Sequence, residues 1–378
     1  MRSVGVEEEL LLVDARTGAP MAVSGAALAA ADRSAWQRPD TVGPDHEFEK
    51  ELQKEQLEFA TEPAVDMGEL QQEIVRIRAE AARHAASAGA VVAAVATSPL
   101  VVHPSLNVGS RYRWMGDQFG LMVQDQLTCG CHVHVSVASD EEGVAVLDRI
   151  RPWLAVLTAM SANSPFWQGE DSGYGSYRSR VWNRWPSAGP VDLFGSADRY
   201  HEQVRAMIDT GVLCDEGMIY FDARLSATYP TVEVRVADVC LDAATPVLLA
   251  ALIRALVETA ARGWQDGRPP ARIGTNLLRL ASWRAARSGL DGPLLHPVTM
   301  RETSPEQAVE ALFLHVRGAL EDHGDDERVR EALSHLYERG NGARIQRRLR
   351  AEGQSLASVV TRCAAMTIGA LTGGPAHL

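Results

Sequence analysis

The chain has 378 residues, 46% of them apolar, and a formal net charge of −12. That length can build one large domain or two, each with a sizeable buried core. The acidic balance argues against general binding to nucleic acid or to anionic membranes, whose phosphates attract basic surfaces.

Of the 37 basic residues only Lys50 and Lys54 are lysines. No Gly-Lys-Ser/Thr phosphate loop can therefore exist, and a nucleotide site must rely on arginine, metal and backbone groups. Cys129, Cys131, Cys214, Cys240 and Cys363 are odd in number and irregular in spacing, which does not describe a disulfide framework. Cys129 and Cys131 read as buried packing residues. The first residues contain no apolar leader, and the apolar run 88–102 is too short to span a bilayer. A cytoplasmic protein is expected.

In chain order, residues 4–13 read as a strand ending at the turn Asp14-Ala15-Arg16-Thr17-Gly18. Residues 19–50 are poorly patterned. Residues 56–60 read as a strand. A helix comes next, with Asp66 as its cap, Glu69 three later, and Leu70, Ile74 and Ile77 as its stripe. Gly89 ends it. Strands are expected at 91–95 and 132–137. A helix opened by Asp140-Glu141-Glu142 is interrupted by Pro152. Residues 198–208 form a helix, 231–239 a strand and 247–262 a helix. Ser304-Pro305-Glu306 starts another helix, and helices joined by glycine turns run on to 368. The whole is an α+β pattern, a single catalytic domain over 1–378 with a strand-rich core to about 245 and a mainly helical remainder.

Four segments alternate apolar and ionisable residues: Val4-Gly5-Val6-Glu7-Glu8-Glu9-Leu10, Gln56-Leu57-Glu58-Phe59, Cys129-Gly130-Cys131-His132-Val133-His134-Val135 and Val232-Glu233-Val234-Arg235-Val236. Residues two apart on a strand share a face. Glu7 thus pairs with Glu9, His132 with His134 and Glu233 with Arg235, while Glu8 points the other way. Taken alone, these pairs are equally compatible with a solvated edge, a hydrogen-bonded core histidine pair and a neutralising ion pair. Together they describe one polar sheet face lining a cavity, because buried charges are costly unless paired or metal-bound. Residues 163–190, dense in aromatic, Gly and Arg residues, hold neither helical nor strand period throughout. A stretch so long is functional or a surface loop; its arginines can fork onto phosphate or carboxylate, and its aromatics can hold a purine.

These motifs, with Gly169-Glu170-Asp171-Ser172-Gly173-Tyr174, Tyr177-Arg178-Ser179, Trp185-Pro186, Thr231 to Val239, Asn276-Leu277-Leu278-Arg279 and Trp283 to Gly292, resemble the type 2 glutamate–cysteine ligase family, in its bacterial carboxylate–amine ligase branch. The resemblance runs from residue 4 to about 350. It implies a glutamine-synthetase-like fold, a curved antiparallel sheet forming a funnel with helices packed outside. It implies ATP-dependent joining of a carboxylate, with glutamate as the expected one, to an amine such as cysteine through an acyl phosphate. ATP and Mg²⁺ are the implied cofactors, with Mn²⁺ as a substitute. Glu7, Glu9, Glu58 and Glu233 are then the metal carboxylates and His132 a nitrogen ligand. Arg235 would face the transferring phosphoryl group and Arg178 the phosphate or substrate carboxylate. His134, Tyr177, Arg180 and Trp182 would contact nucleotide or substrate. A homodimer is implied as well. Two other classes share these residue types: a hydrolase holding zinc between His132 and His134, and a non-catalytic binding module on the same fold. Nothing in the residues names the amine.

Overall fold

The computed structural model describes residues 1–37 and 48–370. Its strands are β1 (Val4–Val13), β2 (Phe48–Glu49), β3 (Gln56–Ala60), β4 (Val91–Ala93), β5 (Gly130–Ser136), β6 (Phe166–Trp167), β7 (Glu170–Asp171), β8 (Ala223–Leu225), β9 (Thr231–Asp238), β10 (Leu294–Leu295) and β11 (Glu302–Thr303). The main sheet has the order β2-β3-β1-β5-β9-β8, with β4 also on β1. All its pairings are antiparallel. The pairs β6–β7 and β10–β11 are separate ribbons. This is the antiparallel sheet that the family resemblance implied.

Long β1 organises the sheet. Glu8 faces Cys131 of β5 on one edge and Phe59 of β3 on the other. Past Leu10 the β5 edge gives way to β4, where Leu11 faces Ala93. Side chains alternate across the sheet, so the even positions of β1 turn toward helices. There the helix Met67–Ser87 buries Leu70, Ile74 and Ile77 completely. Burying such a side chain contributes about 1.5–3 kcal/mol. Asp66 starts this helix by accepting the Gly68 and Glu69 amides. The 22-residue helix Ala244–Gln265 is long and apolar enough to cross a membrane, but that stretch is 83% buried inside the protein. It packs on β1 and β5 as a core helix.

Between strands and helices the expected elements appear with shifted ends. The strand beginning at Val91 stops at Ala93, and β5 starts two residues before His132. Asp140–Ile150 is a helix capped by Ser139, and a 3-10 turn at Arg151–Trp153 absorbs Pro152 before Leu154–Ser161 resumes. The helix expected from residue 247 opens three residues earlier, with Pro246 in its first turn, where no amide partner is needed. Ser304 and Gln307 form the reciprocal cap of Pro305–His323. Within the poorly patterned stretch 19–50 lies an Ala-rich helix, Ser24–Gln37; residues 38–47 lie outside the described residues. The irregular stretch 163–190 contains β6, β7 and the short helix Tyr177–Trp182. Cys129, Cys131, Cys240 and Cys363 are free and buried, while Cys214 is free and exposed.

Candidate active site

The odd positions of β1 meet their neighbours' ionisable groups in register. Glu7 faces His132 across β1–β5, and Glu9 faces Glu58 across β1–β3. Glu49 of β2 faces Glu58 from the other side. His134 faces Glu233 across β5–β9, and Glu233 in turn faces Arg224 of β8. Six strands thus place ionisable groups on one face. Glu7, Glu9, Glu58 and His132 of this face line a cleft of about 270 Å³, together with Glu51, Arg111, Tyr112, Trp182, Trp185, Tyr220 and Arg235.

Three overlapping groups within this face hold atoms close enough to share a cation: Glu7, His134 and Glu233; Glu7, Glu58 and His132; and Glu9, Glu51 and Glu58. Glu7 joins the first two. Its Oε2 lies 3.2 Å from His132 Nδ1 and its Oε1 3.1 Å from His134 Nε2. His134 Nδ1 lies 3.0 Å from the Thr231 hydroxyl. The Nε2 atoms of both histidines are buried, and neither makes a hydrogen bond of good geometry. Among the described residues no such group contains both imidazoles. A donor set dominated by carboxylate oxygen suits a hard cation such as Mg²⁺.

The electrostatics reflect this crowding. Burial and the neighbouring Glu51 push the Glu9 carboxyl up to about 8. Burial, Glu51, Glu7 and Glu9 hold Glu58 well above the carboxylate range. Burial also opposes ionisation of Glu7, but the His132 and His134 imidazoles beside it outweigh burial and hold Glu7 well below that range. Burial and Arg235 depress His132 to about 4. Burial works against the charge on Glu233 too, yet Arg235 and Arg224 lower it strongly. Arg224 Nε is 2.6 Å from Glu233 Oε2, and Arg235 pairs with Glu233 Oε1.

A β-bulge sets which way the end of β9 faces. Between Cys131 and Val133 of β5, β9 advances from Ala237 to Val234, one residue extra. The bulge reverses the phase of the strand. Asp238, which regular alternation from Glu233 would put on the helix side, faces Gly130 on the polar side instead.

Of the other expected residues, Arg178 is buried over this face and Trp182 lines the cleft, with Arg178 and Arg235 each 5.8 Å from its ring centre. Tyr177 and Arg180 lie on other sides of the same short helix. Tyr177 packs on Trp167 and Tyr174, and Arg180 donates to Ser282. The structure does not bring these two to the carboxylate cleft: residues three or four apart share a helix face, so Arg178 and Trp182 turn to the cleft while Tyr177 and Arg180 turn away from it. Glu8 is on the opposite face, paired with Arg78 at 2.6 Å. The sequence pattern does not point to Glu51, Arg224 or Arg111. Glu51 lies in an irregular segment with no period to read, and Arg224 belongs to a three-residue strand.

The model of the glutamate–cysteine ligase family 2 matches residues 3–363. The chain belongs to the glutamate–cysteine ligase family 2. A Streptomyces avermitilis protein named "Putative glutamate--cysteine ligase 2-1" is 61% identical over 98% of this chain and 100% of its own length. A Streptomyces coelicolor protein of the same name without the final numeral is also 61% identical, over 97% of this chain and 99% of its own. Among solved structures, the glutamate–cysteine ligase of Francisella tularensis in complex with AMP superimposes with a TM-score of 0.66 at 12% identity, covering 97% of this chain and 89% of that one. A bifunctional glutathione synthetase from Pasteurella multocida gives 0.67 at 16% identity, covering 97% and 52%. These two likenesses show the fold. Family membership makes the chain an ATP-dependent carboxylate–amine ligase, an enzyme that forms a C–N bond between a small-molecule carboxylate and an amine.

Proposed function

We propose that this ligase activates the γ-carboxylate of glutamate with ATP and passes the γ-glutamyl group to an amine, with cysteine as one acceptor. The observation that carries this reading is the polar sheet face itself: overlapping carboxylate–imidazole groups lie beside Arg235 along one cleft.

A carboxylate oxygen of glutamate attacks the γ-phosphorus of ATP, giving an acyl phosphate and ADP. The amine nitrogen then adds to the acyl carbon, phosphate leaves, and the nitrogen loses a proton. The first step brings anions together, so the protein's work is positioning and charge stabilisation. Glu7, Glu9, Glu58, Glu233 and His132 would hold Mg²⁺ or Mn²⁺, with Glu51 as a further carboxylate; bound there, the cations offset the charge of the phosphates. Arg235 and Arg178 present guanidinium groups toward the phosphoryl oxygens or the substrate carboxylate. Trp182 lies beside both arginines and excludes water from that side. His134, held by Thr231, orients Glu7. The polar face and the helix-covered outer face belong to one catalytic domain.

The test is ADP release with glutamate and a panel of amines at millimolar Mg²⁺. Strong stimulation by one amine, with a γ-glutamyl product in the mass spectrum, supports the reading and names the acceptor. Turnover with glutamate that no amine stimulates, or a product joined elsewhere, overturns it.

A further inference from the structure

We propose that Asp238 and Gly130, which face each other across β5 and β9, act together as positioning residues that aim Arg178 at the reacting groups. This role presupposes the one proposed for Arg178 in the ligase reaction.

Asp238 is fully buried and gathers both ends of the 163–178 loop. Its Oδ2 accepts from the Asn163 amide at 2.8 Å and the Ser164 hydroxyl at 2.7 Å. Its Oδ1 accepts from the Ser176 hydroxyl at 2.8 Å. Ser164 Oγ in turn accepts the Arg178 amide at 2.9 Å. The first turn of Tyr177–Trp182 is thereby tied to β9, three residues after Arg235. A carboxylate accepting three such bonds is a stiff anchor, since removing it would leave buried donors unpaired. Asp238 reaches this side of the sheet only because the bulge reverses the strand.

Gly130 supplies the space. An added Cβ there would lie 2.9 Å from Arg178 Cζ, closer still to Nη2, and 3.0 Å from His132 Nε2. The Arg178 guanidinium therefore occupies the volume that any other residue at 130 would fill. Arg178 Nε is buried with no hydrogen-bond partner. The side chain is held by shape, by its backbone anchor and by the fields of Asp238 and Glu9. At Gly130→Ala the nearest obstacle is the Arg178 guanidinium, the end of a flexible side chain, which must shift while the His132 ring gives by a few tenths of an ångström; the S164A cycle, which leaves His132 untouched, separates the two effects.

The experiment is a pair of double-mutant cycles on ADP release, G130A with R178A and S164A with R178A, with circular dichroism to check folding. We expect G130A and S164A each to lower kcat at least tenfold in the wild-type background and less than twofold in the R178A background. Multiplicative losses in both cycles overturn the positioning role. Full turnover of R178A overturns the role of Arg178 itself, a distinct failure. If G130A does not fold, the S164A cycle decides by the same criteria.

Discussion

Glu9 and Glu58 are register partners across β1 and β3, two carboxylates directly opposite one another on the polar face. Like charges so placed destabilise a sheet. Without a cation the face keeps protons: burial first and the nearby Glu51 second raise Glu9 to about 8 and Glu58 well above its ordinary range, and Glu9 adds to the rise of Glu58.

That relief has a pH signature in metal-free protein. Both folded-state values lie above the unfolded 4.5. The native state therefore holds protons that the unfolded chain has released, and stability falls as pH rises toward 8. His132, lowered from 6.5 to about 4, acts in the opposite sense below pH 6.5. Above pH 6.5 that opposition is gone, and His134, held above its ordinary value by Glu7 and Glu233 against burial, adds to the fall, so the window to read is pH 6.5 to 8. In EDTA the unfolding temperature should drop across it, Glu9→Gln should flatten the drop, and Mg²⁺ should remove it while raising the temperature. A rise with pH in EDTA would contradict this account.

Catalysis should respond to the same wall differently. Glu58→Gln and Arg235→Ala should each lower amine-dependent ADP release by roughly 10²–10³-fold, about 2.7–4 kcal/mol of transition-state stabilisation. Circular dichroism should stay native. Wild-type turnover in either variant would remove that residue from the mechanism.

Glu51 reaches the cleft from outside the strand pattern and completes the group with Glu9 and Glu58. Glu51→Gln should raise the Mg²⁺ concentration for half-maximal activity roughly 10- to 100-fold. Saturating Mg²⁺ should recover most of kcat. A Mg²⁺ titration distinguishes this from a uniform loss at all concentrations.

On the opposite face, Arg78 and Glu8 are 1% and 0% exposed, and Arg78 also donates to the Cys240 carbonyl at 2.7 Å. Arg78→Met leaves a buried carboxylate alone and should cost about 3–5 kcal/mol of stability. The double variant with Glu8→Gln should regain part of it in urea unfolding. The kcat of the folded fraction should be unchanged.

Local order decided which face each residue takes. The alternation in 4–10, 56–59 and 129–135 separates Glu7 and Glu9 from Glu8, and His132 and His134 from Cys131, because orientation on a strand depends only on parity. The caps at Asp66 and Ser304 were equally readable, since a cap and its partners lie within four residues. The family resemblance added the sheet's likeness to glutamine synthetase. Stretches without a period, such as those holding Glu51 and Arg224, were silent.

What the amino-acid sequence determined by itself, then, is that these strands each carry ionisable groups on one side. Only the tertiary structure decided that Glu7 meets His132, that Glu9 meets Glu58, and that Arg78 neutralises Glu8. It alone inserted the bulge that turns Asp238 toward Gly130 and the Arg178 loop. The physical reason is that parity is a property of adjacent residues, whereas register joins segments separated by tens to hundreds of residues, and one extra residue in a strand is enough to reverse its faces.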